Sequence, residues 1–166
     1  DVNSAAEKCK DKIGDKWEGF ANYWRTTQLE YTWLRSLMKR HKDFWQVTED
    51  SLDKAIKAFE IDTSMRNELL DLYKTLSPFK EVPGVLKSLK ERDLKLAILS
   101  NGTPALLNQL VKSNNLDNLF DDLFSIEEVG IYKPDYKVYD MPIKKYQIKK
   151  NEVAFLSANT WDVSGG

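Results

Sequence analysis

Three short polar blocks carry the side chains of this chain that could take part in chemistry. The first and the third each follow an apolar run that is typical of a buried strand, and open α/β sheets bind ligands where their strands end. Hydroxyl, amide, ammonium and carboxylate groups are therefore expected to meet at one edge of a sheet, where they could bind an anion and orient a small substrate. The blocks are Ser100-Asn101-Gly102, Tyr132-Lys133-Pro134-Asp135 and Ser157-Ala158-Asn159-Thr160-Trp161-Asp162.

Each block also has a plain structural interpretation. Ser100 and Asn101 could simply form a strand-to-helix turn, or their polar groups could join the positive end of the next helix in an anion pocket. Lys133 is one lysine among many and gains weight only from its neighbours. The third block could be a polar loop, but all of its polar side chains follow the strand predicted at 153–156, which favours a role at the sheet edge.

Residues 1–80 show the apolar spacing of helices and no strand signal. One helix is predicted within 23–44, a second with Thr48 as its N-cap, and a third capped by Asp62 or Thr63. An arginine, Arg25, lies among aromatic residues of the first helix, and burial of its charge would require an anionic partner. The stripe of the first helix comprises Trp33, Leu34, Leu37 and Met38.

Residues 81–166 show strands alternating with helices, which predicts an α/β fold with a parallel sheet. Pro83 opens a helix that runs to about Arg92, and Thr103 caps another. Pro142 falls inside a helix expected after Asp135, so that helix is kinked or starts later. The predicted strands are Leu94–Leu99, which is expected to be covered on both faces, Leu123–Ile126 and Val153–Leu156.

The composition excludes several classes of protein. A net charge of −1 without a basic stripe excludes electrostatic capture of nucleic acid or of an anionic membrane, and no apolar run reaches the length of a membrane span. Cys9 is the sole cysteine, so no internal disulfide is expected and a reducing, cytoplasmic location is the default. Cys9 is interpreted as a structural residue rather than a catalytic thiol, because the sole histidine, His41, has no evident link to it.

Together these blocks resemble the (S)-2-haloacid dehalogenases of the haloacid dehalogenase-like hydrolase superfamily. The resemblance covers nearly all of the chain in order, and residues 28–38 mark the subfamily. It implies a Rossmann-like parallel sheet with a helical cap inserted after its first strand, so that residues 1–80 form the cap and 81–166 part of the core. It is carried by residues 23–25, 28–38 and 94–102 and by the blocks at 132–135 and 157–162.

The resemblance also implies a reaction and the residues that perform it. Short (S)-2-haloalkanoic acids would be hydrolysed to (R)-2-hydroxy acids and halide through an aspartyl-ester intermediate. By resemblance, Arg25 and Asn159 bind the departing halide, and Ser100 with the Asn101 amide holds the substrate carboxylate. Lys133 steadies the nucleophile. Ser157 and Asp162 orient Lys133 and the hydrolytic water, Tyr139 lies near them, and Leu29, Phe44 and Trp161 form the apolar wall.

No cofactor or metal is expected, and two alternatives stay open. Related phosphatases carry a Mg²⁺-binding aspartate where this chain has Ala158, and alanine offers no oxygen ligand, so a dehalogenase is favoured over a Mg²⁺-dependent phosphatase. The other alternative is a non-catalytic module that lacks the nucleophile. Thr26 replaces a glutamine that is usual in the family, which would alter the preference for chain length.

The family's nucleophilic aspartate, in an Asp-x-Tyr-Gly-Thr block, is expected to lie upstream of Asp1, which itself receives no catalytic role. We therefore expect an internal fragment of a longer protein that lacks its first strand, folds poorly alone and shows no turnover. The parent is expected to be a homodimer through the cap, with 2-haloacid and halide as its small-molecule partners. An aspartate on an apolar strand in the upstream coding sequence would support catalysis.

Overall fold

The computed structural model describes residues 2–166; Asp1 lies outside the described residues. Residues 2–80, here the helical region, form helices joined by short connections. Two of these helices, α3 and α4, pack against each other along their lengths. The helices are α1 (Ser4–Lys8), α2 (Lys10–Ile13), α3 (Trp17–Met38), α4 (Phe44–Phe59) and α5 (Arg66–Tyr73).

The core of the helical region is mostly apolar. Phe20, Leu52 and Leu69 are completely buried, and the Trp24 ring lies 5.3 Å from the ring of Tyr73. Burial of such side chains contributes about 1.5–3 kcal/mol each. Helices satisfy their backbone hydrogen bonds internally, so these few elements can enclose a core without a sheet.

The start of α4 corrects the sequence prediction. Thr48 is not an N-cap; it lies within α4, where its hydroxyl donates to the Phe44 carbonyl oxygen. The helix begins one turn earlier because the Asp43 carboxylate accepts a hydrogen bond from Gln46 N, which caps the first turn. The predicted cap at Asp62 is confirmed, since its carboxylate accepts from Ser64 N.

Residues 81–166, here the sheet region, contain a small parallel sheet. Strand β1 pairs with β2 in parallel register from Ala97 opposite Asp122 to Ser100 opposite Ser125. The connection between them contains α7, which packs on β2 and is capped by the Thr103 hydroxyl as predicted. The elements are α6 (Val82–Lys90), β1 (Ala97–Ser100), α7 (Pro104–Ser113), β2 (Asp122–Ser125), α8 (Tyr136–Tyr146) and α9 (Thr160–Gly165).

Three expectations for the sheet region are wrong. The Val153–Leu156 segment is not a strand, because no strand within residues 2–166 pairs with it, and Leu156 is 88% exposed. Strand β1 starts at Ala97 rather than Leu94, because Leu94 N is held by the carbonyl of Leu89 at the end of the preceding helical segment. Strand β1 is also partly exposed rather than covered on both faces.

The sequence predicts that the helix after Asp135 is kinked at Pro142 or starts later. Pro142 lies inside α8, which starts at Tyr136 behind the Asp135 cap, so the helix does not start later than expected.

Within residues 2–166, no helix combines the length and apolar character needed to cross a bilayer.

Candidate active site

A central cavity of about 230 Å³ opens where β1 ends and the helical region begins. Residues from both regions line it. The structure thus brings together most of the residues singled out from the sequence, including side chains more than 130 positions apart. The predicted residues in its lining are Arg25, Phe44, Ser100, Asn101, Lys133, Asn159, Trp161 and Asp162.

The loop after β1 is held by hydrogen bonds that tie it to both neighbouring loops. The Ser100 hydroxyl oxygen accepts from Gly102 N at 3.0 Å, and the Gly102 carbonyl accepts from the Ser125 hydroxyl at 2.7 Å. The Asn101 side-chain oxygen accepts from Lys133 N at 3.2 Å. The polar groups of the first two blocks therefore have fixed relative positions at the sheet edge.

Lys133 and Asp162 form a buried ion pair in the wall of the cavity. Lys133 Nζ lies 3.1 Å from Asp162 Oδ2, and the Tyr139 hydroxyl donates to the other carboxylate oxygen at 2.7 Å. Burial lowers the pKa of Lys133, and the Asp162 carboxylate opposes that shift. Burial and the same carboxylate raise the pKa of Tyr139. An ammonium that shares one carboxylate with a phenol keeps donor capacity for a second anion.

Arg25 brings a second cation to the cavity from the helical region. Its Nη1 donates to the Gln28 side-chain oxygen at 2.9 Å. Within residues 2–166, no carboxylate lies within 4.0 Å of its guanidinium. The arginine is partly buried and belongs to the cavity lining, and its positive charge has no carboxylate partner among residues 2–166. Such a cation favours an anion in the cavity.

Three predicted residues lie outside the cavity lining. Leu29 is half-buried elsewhere on α3. The Ser157 oxygen accepts from Asn159 N at 3.2 Å, which shapes the loop that carries Asn159. Tyr139 reaches the site through its bond to Asp162.

Sequence reasoning missed several lining residues. Tyr73 is the most prominent, a buried phenol whose pKa is raised by burial, with the nearby Arg25 charge opposing the shift. Tyr73 lies four positions after Leu69, on the same face of α5, so helical spacing could have found it. The other missed residues are Val2, Leu76, Leu99, Gly102, Leu106, Leu107 and Leu110.

Cys9 and His41 lie outside the cavity lining. Cys9 is buried, and burial raises the pKa of its thiol. His41 Nε2 lies 2.8 Å from Glu127 Oε2, and the other oxygen of Glu127 accepts from Phe44 N. Among residues 2–166, no group of three or more His, Cys, Asp or Glu side chains is arranged to hold a metal ion.

The sequence matches the family model of the haloacid dehalogenase-like hydrolases over residues 2–166, and the chain belongs to that family. Two relatives from Pseudomonas make the comparison more specific. The (S)-2-haloacid dehalogenase 1 of strain CBS-3 is 40% identical, over 99% of this chain and 74% of the relative. The (S)-2-haloacid dehalogenase of strain YL is 41% identical, over 99% of this chain and 72% of the relative.

Solved structures agree with this assignment. A crystal structure described as that of a dehalogenase superposes with a TM-score of 0.97 at 35% identity, over 99% of this chain and 74% of that one. The L-2-haloacid dehalogenase of Xanthobacter autotrophicus, solved with chloropropionic acid covalently bound, has a TM-score of 0.90 at 34% identity, over 99% of this chain and 67% of that one. The described residues therefore have the family's fold, with a parallel sheet and a helical cap.

Proposed function

We propose that this chain carries the cap and much of the active site of a hydrolase that removes halide from short (S)-2-haloalkanoic acids. The observation that carries the proposal is the guanidinium of Arg25, which has no carboxylate partner among residues 2–166. It shares the lining of one cavity with Ser100, Lys133 and Asn159. The relatives named above as (S)-2-haloacid dehalogenases support it. The products are the (R)-2-hydroxy acid and halide.

The cavity offers separate partners for the two ends of the substrate. Ser100 and the Asn101 amide hold the carboxylate, at the edge of the sheet where β1 ends. Arg25 and Asn159 receive the halogen, on which negative charge develops only as the carbon–halogen bond breaks. A cation placed there stabilises the transition state more than the ground state. Phe44 and Trp161 provide the apolar wall beside the alkyl group.

The reaction needs a carboxylate nucleophile, and Asp162 is already engaged by Lys133 and Tyr139. We assign the nucleophile to an aspartate on a strand that precedes Asp1 in the parent protein and lies between β1 and the Val153–Leu156 segment. The exposed side chains of Val153 and Leu156 support this position. Lys133 then steadies the nucleophile, and Asp162 and Ser157 orient Lys133 and the water that hydrolyses the ester.

The same proposal covers the organisation of the parent protein. Residues 1–80 act as the cap and 81–166 as part of the core, in a cytoplasmic enzyme. The parent forms a homodimer through the cap. Support for this contact comes from the exposed apolar side chains of α3, namely Leu34, Leu37 and Met38.

The test measures halide release from (S)-2-chloropropionate by the gene-encoded protein that contains residues 1–166. Arg25→Gln is expected to lower kcat/KM by about 100-fold or more, because a charge-assisted contact to the leaving halide is lost. Arg40→Gln removes an exposed arginine and serves as the matched control, with activity unchanged. The chain of residues 1–166 alone is expected to show no turnover.

Two results would count against the proposal. Equal activity of Arg25→Gln and Arg40→Gln would remove Arg25 from the halide site. Phosphate release from small phosphoesters that requires Mg²⁺, without halide release, would instead identify a phosphatase.

A further inference from the structure

Gln28 is a completely buried amide one turn along α3 from Arg25. Its oxygen accepts from Arg25 Nη1 at 2.9 Å. Its nitrogen donates to the Thr48 hydroxyl oxygen at 2.8 Å and to the Tyr73 hydroxyl oxygen at 3.0 Å. Both polar atoms of this side chain therefore have hydrogen-bond partners. The bonds connect α3 with α4 and α5 beside the cavity.

The direction of these bonds is fixed by the chemistry of the neighbours. Thr48 has one hydroxyl proton, and it is given to the Phe44 carbonyl oxygen at 2.7 Å. Its oxygen must then accept from Gln28, so the amide nitrogen faces Thr48. A flipped amide would point NH₂ at the guanidinium, placing donor against donor. The amide oxygen therefore accepts from Arg25 Nη1 at 2.9 Å and, at the longer distance of 3.4 Å, from the Tyr73 hydroxyl.

The identity of the acceptor matters for the charge in the cavity. A carboxylate at this position would orient Arg25 equally well, but would neutralise it and compete with any bound anion. A neutral amide orients the guanidinium and leaves its positive charge available. Tyr73, which lines the cavity beside Arg25, adds a second neutral group.

We propose that Gln28 is the positioning residue for Arg25, holding the guanidinium toward the halide without neutralising it. The inference rests on the proposed function, because it assigns Arg25 to the departing halide. Gln28 does not touch substrate; it acts through Arg25, and Thr48 and Tyr73 fix its polarity.

The test is bromide binding by the gene-encoded protein, measured by bromide NMR line broadening at constant ionic strength from pH 4 to 8. Gln28→Glu is expected to weaken bromide affinity by about tenfold or more near neutral pH, the size of one charge-assisted contact. Affinity should recover at acid pH, because the protonated carboxyl again offers a neutral acceptor. Turnover of (S)-2-chloropropionate should lose kcat by a similar factor, with KM changed less than about threefold.

Matched variants separate this role from a structural one. Gln109→Glu makes the same change at an exposed site on α7 and should leave bromide affinity independent of pH. Gln28→Met keeps the size but removes the acceptor, and should weaken binding several-fold without pH dependence. If Gln28→Glu does not fold, bromide affinity is measured in Gln28→Met and Thr48→Val instead. Unchanged affinity in both variants overturns the inference.

The outcomes also distinguish the two proposals. Arg25→Gln must abolish bromide binding if the halide site is correct, and retained binding would overturn the proposed function. Loss in Arg25→Gln together with wild-type affinity of Gln28→Glu at every pH would overturn the role of Gln28 alone.

Discussion

The helical region and the sheet region differ in how far they bury their own apolar side chains. In the helical region, Phe20, Val47, Leu52 and Leu69 are all completely buried. In the sheet region, α6 has no buried residue, and Leu156 is almost fully exposed. Helices complete most of their hydrogen bonds within themselves, whereas a strand leaves backbone groups unpaired on any edge that lacks a neighbour. A helical cap can therefore close its core locally, and a parallel sheet cannot.

Polar contacts fix two segments of the sheet region. The Asp121 carboxylate accepts from Lys90 Nζ at 2.9 Å and from Leu96 N at 2.7 Å, which fixes the chain before β1. The ion pair of Lys133 and Asp162 similarly joins the second and third polar blocks. These two contacts hold the chain that leads into β1 and the side chains that line the cavity.

The sharpest contrast between the regions is expected from paired leucine truncations. Leu52→Ala should lower the free energy of unfolding by about 2–5 kcal/mol, because it leaves a cavity in a closed core. Leu94→Ala removes a side chain of the sheet region that is 44% exposed and should change it by about 1 kcal/mol or less. Both variants are made in the gene-encoded protein that contains residues 1–166. Denaturant unfolding followed by circular dichroism measures both, and equal losses would contradict the contrast.

A second prediction concerns the ion pair of the sheet region. Asp162→Asn should lower the pKa of Lys133 further, because the carboxylate that opposes the desolvation is removed. Since the pKa of Lys133 is then lower in the folded than in the unfolded chain, the unfolded state binds more protons between the two values, and stability rises with pH there.

NMR titration of the lysine Nζ and Cε resonances measures this pKa, with Lys133→Arg assigning the signal. A pKa equal to or above that of the wild type would show that Asp162 does not stabilise the ammonium.

The smallest effects are expected from the helix caps. Asp43→Ala and Thr103→Ala each remove the acceptor that caps the first turn of a helix, and each should cost about 0.5–2 kcal/mol. The two caps lie in different regions, so the pair also tests cooperativity. Hydrogen exchange should show Asp43→Ala loosening α4 while the β1 amides are unaffected; equal loosening of both would indicate one cooperative unit.

Many residues of the cavity lining could be predicted because their positions follow from the neighbouring residues in the sequence. Ser100 and Asn159 follow apolar segments directly, and Lys133 lies in a block recognisable by its composition. The Thr103 cap and the Asp62 cap were also found, because a capping side chain bonds to a backbone group only two or three positions away.

The errors arise where distant contacts decide the structure. Thr48 has the residue type of an N-cap, but its hydroxyl serves a buried network that no local pattern reveals. The Val153–Leu156 segment has the composition of a strand, but a strand exists only with a hydrogen-bonded partner.

Tyr132, in the sheet region, is held by contacts with the helical region. Its ring is buried against His41 and Phe44, its hydroxyl donates to the Lys42 carbonyl oxygen, and its backbone N donates to the Ser36 hydroxyl. Lys133 is the next residue along the chain. Separation of the helical region from the sheet region would have to break these contacts and would displace Lys133, so wide opening of the cavity is expected to disturb the ion pair with Asp162.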